Sequence, residues 1–253
     1  MSGTVARPPS AWLPIAAPPG APLRLYCFPH SGAGTVGYRD WSTLAPDLGP
    51  VPVRLPGRES RVGEPPIDDL DLLVERLVDE VVGSFEPPYV LYGHSVGAIV
   101  AFELVRAQRR LGLPMPEGLV VSGRPAPQLR RRGPGMHLLS DEGLAADVLS
   151  LGGVPEQIAA RPKLLAFFLP LLRADLTLTE GYRYVHEPPL DIPIAAFGGE
   201  EDPKAWPDEM AAWREQTTAR FTVRVLGGGH FFPLEQGPAL LRMIRDDVTE
   251  WLR

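Results

Sequence analysis

The pentapeptide GHSVG at residues 93–97 holds a serine, Ser95, two residues from a glycine on each side. A serine hydroxyl becomes a nucleophile when a base removes its proton, and it must project clear of the backbone to reach a carbonyl carbon. The pattern G-x-S-x-G provides that geometry where a strand turns sharply into a helix, because the glycines let the two elements pass close together. An apolar run precedes it and a helical pattern follows. Ser95 is therefore the predicted nucleophile, and a tight structural turn is the alternative.

The general base is expected later in the chain, at the end of another strand. His230 directly follows the last predicted strand, after three glycines. The acid that orients its imidazole should follow the preceding strand, where FGGEEDP provides Asp202, with Glu201 as its nearest rival. Asp175 in RADLTLTE is a second candidate. The chain order Ser95, Asp202, His230 matches the order described for α/β-hydrolases.

An acyl-transfer site also needs two backbone donors aimed at the oxyanion that forms during the reaction. One is expected to be the amide of Val96, the residue after the nucleophile. The other is expected in the loop FPHSGAG at residues 28–34, where we nominate Ser31. His30 lies in the same loop and suits a place beside the oxyanion better than the role of base.

These residues must be positioned by alternating strands and helices. Short apolar runs predict strands buried on both faces, and segments with a three- and four-residue apolar spacing predict helices. The strands are predicted at 23–28, 51–55, 89–93, 118–123, 192–198 and 221–227, and the helices at 67–85, 97–112, 208–217 and 239–252. Such alternation predicts an α/β fold with a mostly parallel central sheet covered by helices on both faces.

The chain divides into an irregular lead-in over residues 1–22 and one domain over 23–253. Residues 124–186 have helical pattern without a convincing strand, and a connection of that length is usually a lid or a pocket wall. We expect a lid there; a helical decoration with no substrate role is the alternative.

Composition excludes several classes of function. The net charge of −6 and a pI near 5.4 argue against general phosphate-backbone binding. The lone cysteine, Cys27, excludes an internal disulfide and any multi-cysteine metal site, and no cluster predicts a metal or a bound cofactor. No secretory signal or membrane-spanning run is evident, so we expect a soluble, cytoplasmic protein, and a monomer by default.

Six motifs taken together resemble one known family. CFPHSGAG, LPGRESR, GHSVGA, RADLTLTEGYRY, FGGEEDP and GGHFF occur in the order found in type II thioesterases, the discrete α/β-hydrolases that accompany polyketide synthases and nonribosomal peptide synthetases. The resemblance runs from about residue 22 to the C-terminus. It implies that Ser95, Asp202 and His230 are the triad and that the amides of Ser31 and Val96 form the oxyanion hole. Relatives often have alanine where this chain has Ser31, which matters little for a backbone donor.

The resemblance further implies hydrolysis of acyl thioesters from the phosphopantetheine arm of an acyl or peptidyl carrier protein, without metal or cofactor. The apolar segment LLAFFLPLL would line the acyl pocket through Phe167, Phe168 and Leu171, although burial in a lid core would explain these residues equally well. Arg130, Arg131 and Arg132 could meet an acidic carrier, and a solvated loop is the favoured alternative. A general carboxylesterase, an acyltransferase and a non-catalytic scaffold of the same fold stay open.

Overall fold

The computed structural model describes residues 9–130, 132–154 and 156–253. The strands of this described part are β1 (Arg24–Phe28), β2 (Pro50–Pro52), β3 (Tyr89–His94), β4 (Gly118–Ser122), β5 (Ile194–Gly199) and β6 (Phe221–Leu226). They form one sheet in the order β2-β1-β3-β4-β5-β6, and every neighbouring pair is parallel. The predicted α/β architecture with a parallel central sheet is confirmed.

The α-helices of the described residues connect and cover these strands. They are α1 (Trp41–Leu44), α2 (Leu70–Glu80), α3 (Val96–Leu111), α4 (Asp141–Ser150), α5 (Glu156–Ala159), α6 (Pro162–Glu180), α7 (Pro207–Ala211), α8 (Phe232–Glu235) and α9 (Gly237–Trp251). The segment predicted as one helix at 208–217 is α7 followed by a 3₁₀ turn over Ala212–Gln216.

Helices on both faces of the sheet produce two apolar cores. Alternate residues of β1 point to opposite faces, so Tyr26 and Phe28 join one core while Leu25 and Cys27 join the other. The first core contains the buried sides of α2 and α3, and the second contains residues of α1 and α9. Helix α2 begins at a defined cap, because the carboxylate of Asp69 accepts a hydrogen bond from the Leu72 amide.

The order of the strands positions the loops that carry the predicted site. The chain order reverses at β1, which has β2 on one side and β3 on the other. Open α/β sheets bind ligands at such a reversal, beyond the carboxyl ends of the strands. The pairing of Phe28 with Gly93 places the loop after β1 next to the turn after β3.

The last strand departs from the prediction of burial on both faces. β6 is an edge strand, and Val223 and Val225 are exposed. Its apolar β-branched run is typical of a buried strand, but its position at the end of the sheet leaves one side of it uncovered. β2, at the opposite edge, is shorter than predicted and ends at Pro52.

The described part of the lead-in, residues 9–22, has no helix or strand but packs against the domain. The Trp12 side chain is buried in the core, its ring lies under the Arg61 guanidinium, and its indole nitrogen donates a hydrogen bond to Glu80. This segment is therefore anchored to the domain, because the Trp12 indole forms part of the core.

The long connection between β4 and β5 contains α4, α5 and α6. It has an apolar cluster of its own, separate from the two cores of the sheet, with Leu144 and Leu169 among its buried members. One wall of the site is thus built by a helical unit with its own small core.

Candidate active site

Ser95 lies between the end of β3 and the start of α3 in a strained backbone conformation. Its φ of 54° and ψ of −110° are rare for a residue with a side chain. A Cβ at Gly93 would lie 2.1 Å from the Gly97 carbonyl oxygen, and a Cβ at Gly97 would lie 2.1 Å from the Phe28 carbonyl oxygen. Both glycines are therefore required for the strand, the helix and β1 to pack this closely, and the turn has the sharp strand-to-helix geometry that the sequence predicts.

His230 lies in the loop after β6 and connects Ser95 to Asp202. Its Nε2 is 3.0 Å from Ser95 Oγ, and its Nδ1 is 2.9 and 3.1 Å from the two carboxylate oxygens of Asp202. With the proton on Nδ1, the imidazole donates to Asp202, and Nε2 is free to accept the proton of the serine hydroxyl. The structure therefore brings together the three side chains predicted as the triad.

The carboxylate of Asp202 is buried and held in place by its own loop. Its Oδ1 accepts a hydrogen bond from the Lys204 amide at 2.8 Å. Glu200 and Glu201, its neighbours in the sequence, are exposed. Gly199 permits the approach of this loop to the histidine loop, since a Cβ there would lie 2.5 Å from the Gly229 carbonyl oxygen. Of the three acids in FGGEEDP, Asp202 is the one in contact with His230.

Asp175, the second candidate acid, is elsewhere. It lies on α6, and its carboxylate forms a bidentate ion pair with Arg58 at 2.8 and 3.1 Å and accepts a hydrogen bond from the Gly32 amide. The prediction of Asp175 as a possible orienting acid is wrong, because its carboxylate is occupied by these two groups and His230 is oriented by Asp202. Sequence reasoning did not anticipate Arg58, whose only signal was its place in the motif LPGRESR.

Val96 and Ser31 are the two nominated oxyanion donors. Val96 is the first residue of α3, where an amide has no partner within the helix. In the described part of the chain, neither the Val96 nor the Ser31 amide donates to a protein acceptor. Both residues line the same cavity as Ser95.

Two further histidines lie close to the triad: His94 is buried and His30 is half-buried. Burial lowers the pKa of His30 to about 4, with a smaller effect in the same direction from His230. Burial also lowers the pKa of His94 well below its ordinary value. His30 is therefore neutral at pH 7, and its Nδ1 donates to the Ser31 carbonyl at 3.0 Å. The imidazole of His230 is the one that contacts Ser95.

Ser95 opens into a cavity of about 1300 Å³. The triad serine and histidine lie in its wall, and the β4–β5 connection supplies most of its apolar lining, which includes Met136, Leu151, Leu169, Leu172 and Leu176. Phe168 and Leu171 line the cavity, and their role as substrate-binding residues stays a prediction.

Phe167 is not part of this wall, and its prediction as a substrate-binding residue is wrong. Its side chain is 61% exposed and does not line the cavity. Consecutive residues of a helix point about 100° apart, so Phe168 faces inward while Phe167 faces outward on α6. An apolar run of nine residues did not indicate which face would be covered.

Within the described ranges, no group of three or more His, Cys, Asp or Glu side chains is placed to hold a metal ion. In the same part of the chain, no helix combines the length and apolar character needed to cross a bilayer.

Comparison with known proteins places this site in a family. The family model described as a thioesterase domain matches residues 23–248. The chain is a member of the thioesterase family. It is accordingly a hydrolase that acts on thioesters. The Ser-His-Asp mechanism, which requires the side-chain arrangement described above, is general for this family. The family resemblance noted in the motifs is confirmed.

Curated relatives match this thioesterase over most of its length. The gramicidin S biosynthesis protein GrsT of Aneurinibacillus migulanus is 38% identical over 216 residues, which are 85% of this chain and 84% of the relative. The thioesterase PikA5 of Streptomyces venezuelae is 37% identical over 238 residues, which are 91% of this chain and 82% of the relative.

A solved structure confirms the α/β-hydrolase fold of the thioesterase. The type II thioesterase BorB from the borrelidin biosynthetic cluster superposes with a TM-score of 0.86 at 38% sequence identity. The match covers 95% of this chain and 98% of the solved chain.

Proposed function

We propose that this protein is a type II thioesterase that hydrolyses aberrant or stalled acyl thioesters from the phosphopantetheine arm of carrier proteins. One observation carries the proposal: His230 is hydrogen-bonded to both Ser95 and Asp202, and Ser95 lies in the wall of a large, mostly apolar cavity. Relatives described as the type II thioesterase BorB and the thioesterase PikA5 support the assignment to an assembly-line pathway.

In the first half-reaction, His230 Nε2 removes the proton of Ser95 as Oγ attacks the thioester carbonyl carbon. The oxyanion is stabilised by the amides of Ser31 and Val96, and Asp202 stabilises the imidazolium that forms. The tetrahedral intermediate collapses when the carbon–sulfur bond breaks, and the imidazolium protonates the pantetheine thiolate. An acyl-Ser95 ester remains.

In the second half-reaction, His230 removes a proton from a water molecule, which attacks the carbonyl of the acyl-Ser95 ester. The same two amides receive the charge, and the imidazolium returns its proton to Ser95 Oγ as the acid departs. The products are a carboxylic acid and free enzyme. The proposed steps use only these side chains, these amides and water.

The acyl chain of the substrate would occupy the 1300 Å³ cavity, with Phe168 and Leu171 in its wall. We further propose that residues 124–186, which form most of the β4–β5 connection, act as the lid of this cavity. The separate apolar cluster supports that role for α4 and the first part of α6, since a unit with its own core can shift without disrupting the sheet. The end of α6 packs into the main core through Leu178 and would stay in place.

A carrier protein is the proposed macromolecular partner. Of the three arginines suggested for docking, Arg131 lies outside the described residues, and Arg130 is exposed at the edge of the cavity. Arg132 is bound to both carboxylate oxygens of Glu209 and stacks on the Trp206 ring at 3.7 Å. Arg130 is therefore the better of the two described candidates for a contact with an acidic carrier. The monomeric state stays a prediction.

A hydrolysis panel tests the proposed function. Acyl chains of graded length are presented on a carrier protein, on free phosphopantetheine, on a small thiol and as oxygen esters, each with wild type and Ser95→Ala. We expect faster hydrolysis of carrier thioesters than of oxygen esters and a loss of about 10⁴-fold or more with Ser95→Ala. A preference for oxygen esters would indicate a carboxylesterase, transfer to an added amine an acyltransferase, and full activity of Ser95→Ala would refute the triad.

A further inference from the structure

The motifs LPGRESR and RADLTLTE meet in a buried ion pair that the triad does not use. Arg58 and Asp175 are 4% and 1% exposed, and the guanidinium contacts both carboxylate oxygens, at 2.8 and 3.1 Å. A buried ion pair adds little net stability, because an apolar pair of the same volume packs about as well without the cost of desolvating two charges. The pair therefore calls for an explanation beyond stability.

Both partners also bind the backbone of the loop that follows β1. Asp175 Oδ2 accepts a hydrogen bond from the Gly32 amide at 2.7 Å, and Arg58 Nη1 donates to the Ala33 carbonyl at 2.9 Å. These contacts join three parts of the chain. Asp175 comes from α6, Arg58 from the segment after β2, and Gly32 from the loop after β1, residues 29–34, which we call the oxyanion loop.

The hydrogen bonds fix the peptide groups on either side of Ser31. The Ser31–Gly32 peptide is held at both ends, because its carbonyl accepts from His30 Nδ1 and its amide donates to Asp175. The His30–Ser31 peptide is held through the His30 carbonyl, which accepts from the Ala33 amide at 3.1 Å. The Ser31 amide is left without a protein acceptor in the described part of the chain, so it stays available to a substrate oxygen.

The residue after Arg58 anchors the other half of the same loop. Glu59 has a φ of 51°, and its Oε1 accepts from the Thr35 amide at 2.6 Å and the Val36 amide at 3.3 Å. A Cβ at Gly34 would lie 2.2 Å from Glu59 Oε1, so only glycine lets the carboxylate approach this closely. The unusual backbone at Glu59 thus turns two successive side chains toward one loop.

We propose that Arg58 and Asp175 are positioning residues that hold the Ser31 amide toward the oxyanion of the reaction. The inference rests on the proposed function, in which Ser31 is an oxyanion donor. Loss of one such donor lowers kcat by about 10²- to 10³-fold in other hydrolases, and displacement by about 1 Å can cost about 10²-fold. Because Asp175 belongs to α6, the donor depends on the position of a helix in the β4–β5 connection.

Two double variants test the hydrogen bond from the Gly32 amide to residue 175 separately from the Arg58–Asp175 ion pair. Arg58→Met with Asp175→Asn, and Arg58→Met with Asp175→Leu, both remove the ion pair. Asn retains an oxygen that can accept from the Gly32 amide, and Leu, of similar shape, does not. The matched control is Arg224→Met with Asp247→Leu, which removes a partly buried ion pair between β6 and α9, away from the cavity.

The variants are compared by kcat and KM on one acyl thioester and by the Ki of an alkylboronic acid, which forms a tetrahedral adduct on a reactive serine. We expect the Asp175→Leu double variant to lose about 100-fold in kcat and a similar factor in Ki, with KM within threefold of wild type. The Asp175→Asn double variant should retain at least tenfold more kcat than the Leu variant. The control should stay within threefold of wild type.

The proposal is overturned if the two double variants have kcat values within threefold of each other, if only KM changes, or if the control loses as much kcat as the Leu variant. Should the double variants fail to fold, Asp175→Asn and Asp175→Leu are compared alone, at a temperature where urea titration shows both to be native. The same tenfold difference is expected, and its absence refutes the proposal.

Failure of this inference is distinguishable from failure of the proposed function. If wild type prefers an oxygen ester, the assigned substrate is wrong, but the ratio between the Asn and Leu variants can be measured on that ester. The ratio tests the position of the Ser31 amide whichever acyl compound forms the acyl-enzyme.

Discussion

The loops that carry the triad and the helices that enclose the cavity are built on different supports. The serine and aspartate loops follow β3 and β5, whose residues are all buried, and they are fixed by hydrogen bonds and close glycine contacts. The β4–β5 connection rests on a small apolar cluster and has exposed apolar side chains, Leu138 and Phe167 among them. Ser95 and Asp202 are thus held by the buried strands of the sheet, whereas most of the apolar wall of the cavity comes from a helical unit with its own apolar cluster.

The largest expected effect comes from a substitution in the loop after β5, which carries Asp202. Asp202→Asn should lower kcat by about 10³- to 10⁴-fold, because the amide cannot stabilise the imidazolium and favours the wrong tautomer of His230. Steady-state hydrolysis of an acyl thioester measures it. Glu201→Gln is the matched control, since Glu201 is exposed and should retain wild-type kcat. Equal losses in both variants would remove the distinction between these acids.

The second prediction concerns the helical wall of the cavity. Phe168→Ala should lower kcat/KM for a long acyl chain by about five- to thirtyfold, because about 1–2 kcal/mol of apolar contact is lost, and should affect an acetyl thioester less. Phe167→Ala, one position away and exposed, should change neither value. If Phe167→Ala had the larger effect, α6 would present its other face to the acyl chain.

His30 and His94, which lie next to the strand ends and have lowered pKa values, predict a dependence of stability on pH. The unfolded chain binds protons on His30 and His94 with a pKa of about 6.5, whereas burial lowers the folded pKa of His30 to about 4 and that of His94 well below its ordinary value. The unfolded state therefore binds more protons between about pH 4 and 6.5, and the free energy of unfolding falls as the pH is lowered through this window.

Urea titrations at several pH values between 7 and 4.5 measure this effect. Each such imidazole contributes at most about 1.4 kcal/mol per pH unit to the free energy of unfolding. His30→Gln should therefore reduce the slope of that free energy against pH by up to this amount. His186→Gln removes an exposed imidazole away from the site and is the control. An unchanged slope in His30→Gln would contradict the lowered pKa of His30 in the folded protein.

The smallest predicted effects compare a helix cap in each region. Asp69 caps α2 and Ser140 caps α4, each by accepting a backbone amide hydrogen bond. Replacement of either by Ala should cost about 1 kcal/mol. Asp69→Ala should lower the free energy of global unfolding, whereas Ser140→Ala should mainly speed amide hydrogen exchange in residues 141–150. Similar exchange throughout the chain in both variants would mean that the two regions unfold as one unit.

The three side chains of the predicted triad and the class of fold could be read from the sequence alone. Ser95 between glycines, His230 after a strand and Asp202 after the preceding strand could be predicted because each depends on local spacing, and parallel strands bring their carboxyl ends together in any order of the sheet. The same alternation predicted every strand of the described sheet, although its edges were not identifiable. β6 has the composition of a buried strand, but it lies at the edge of the sheet, and Val223 and Val225, which point to the same face, are left uncovered there.

The tertiary structure decided the remainder. Phe167 and Phe168 are chemically identical neighbours, and only the packing of α6 determines that Phe168 faces the cavity. Asp175 resembled an orienting acid in the sequence, but its distant partner Arg58 and the Gly32 amide give it another role. A contact between residues far apart in the chain leaves no periodic signal, so the support of the oxyanion loop by α6 became visible only when the chain was folded.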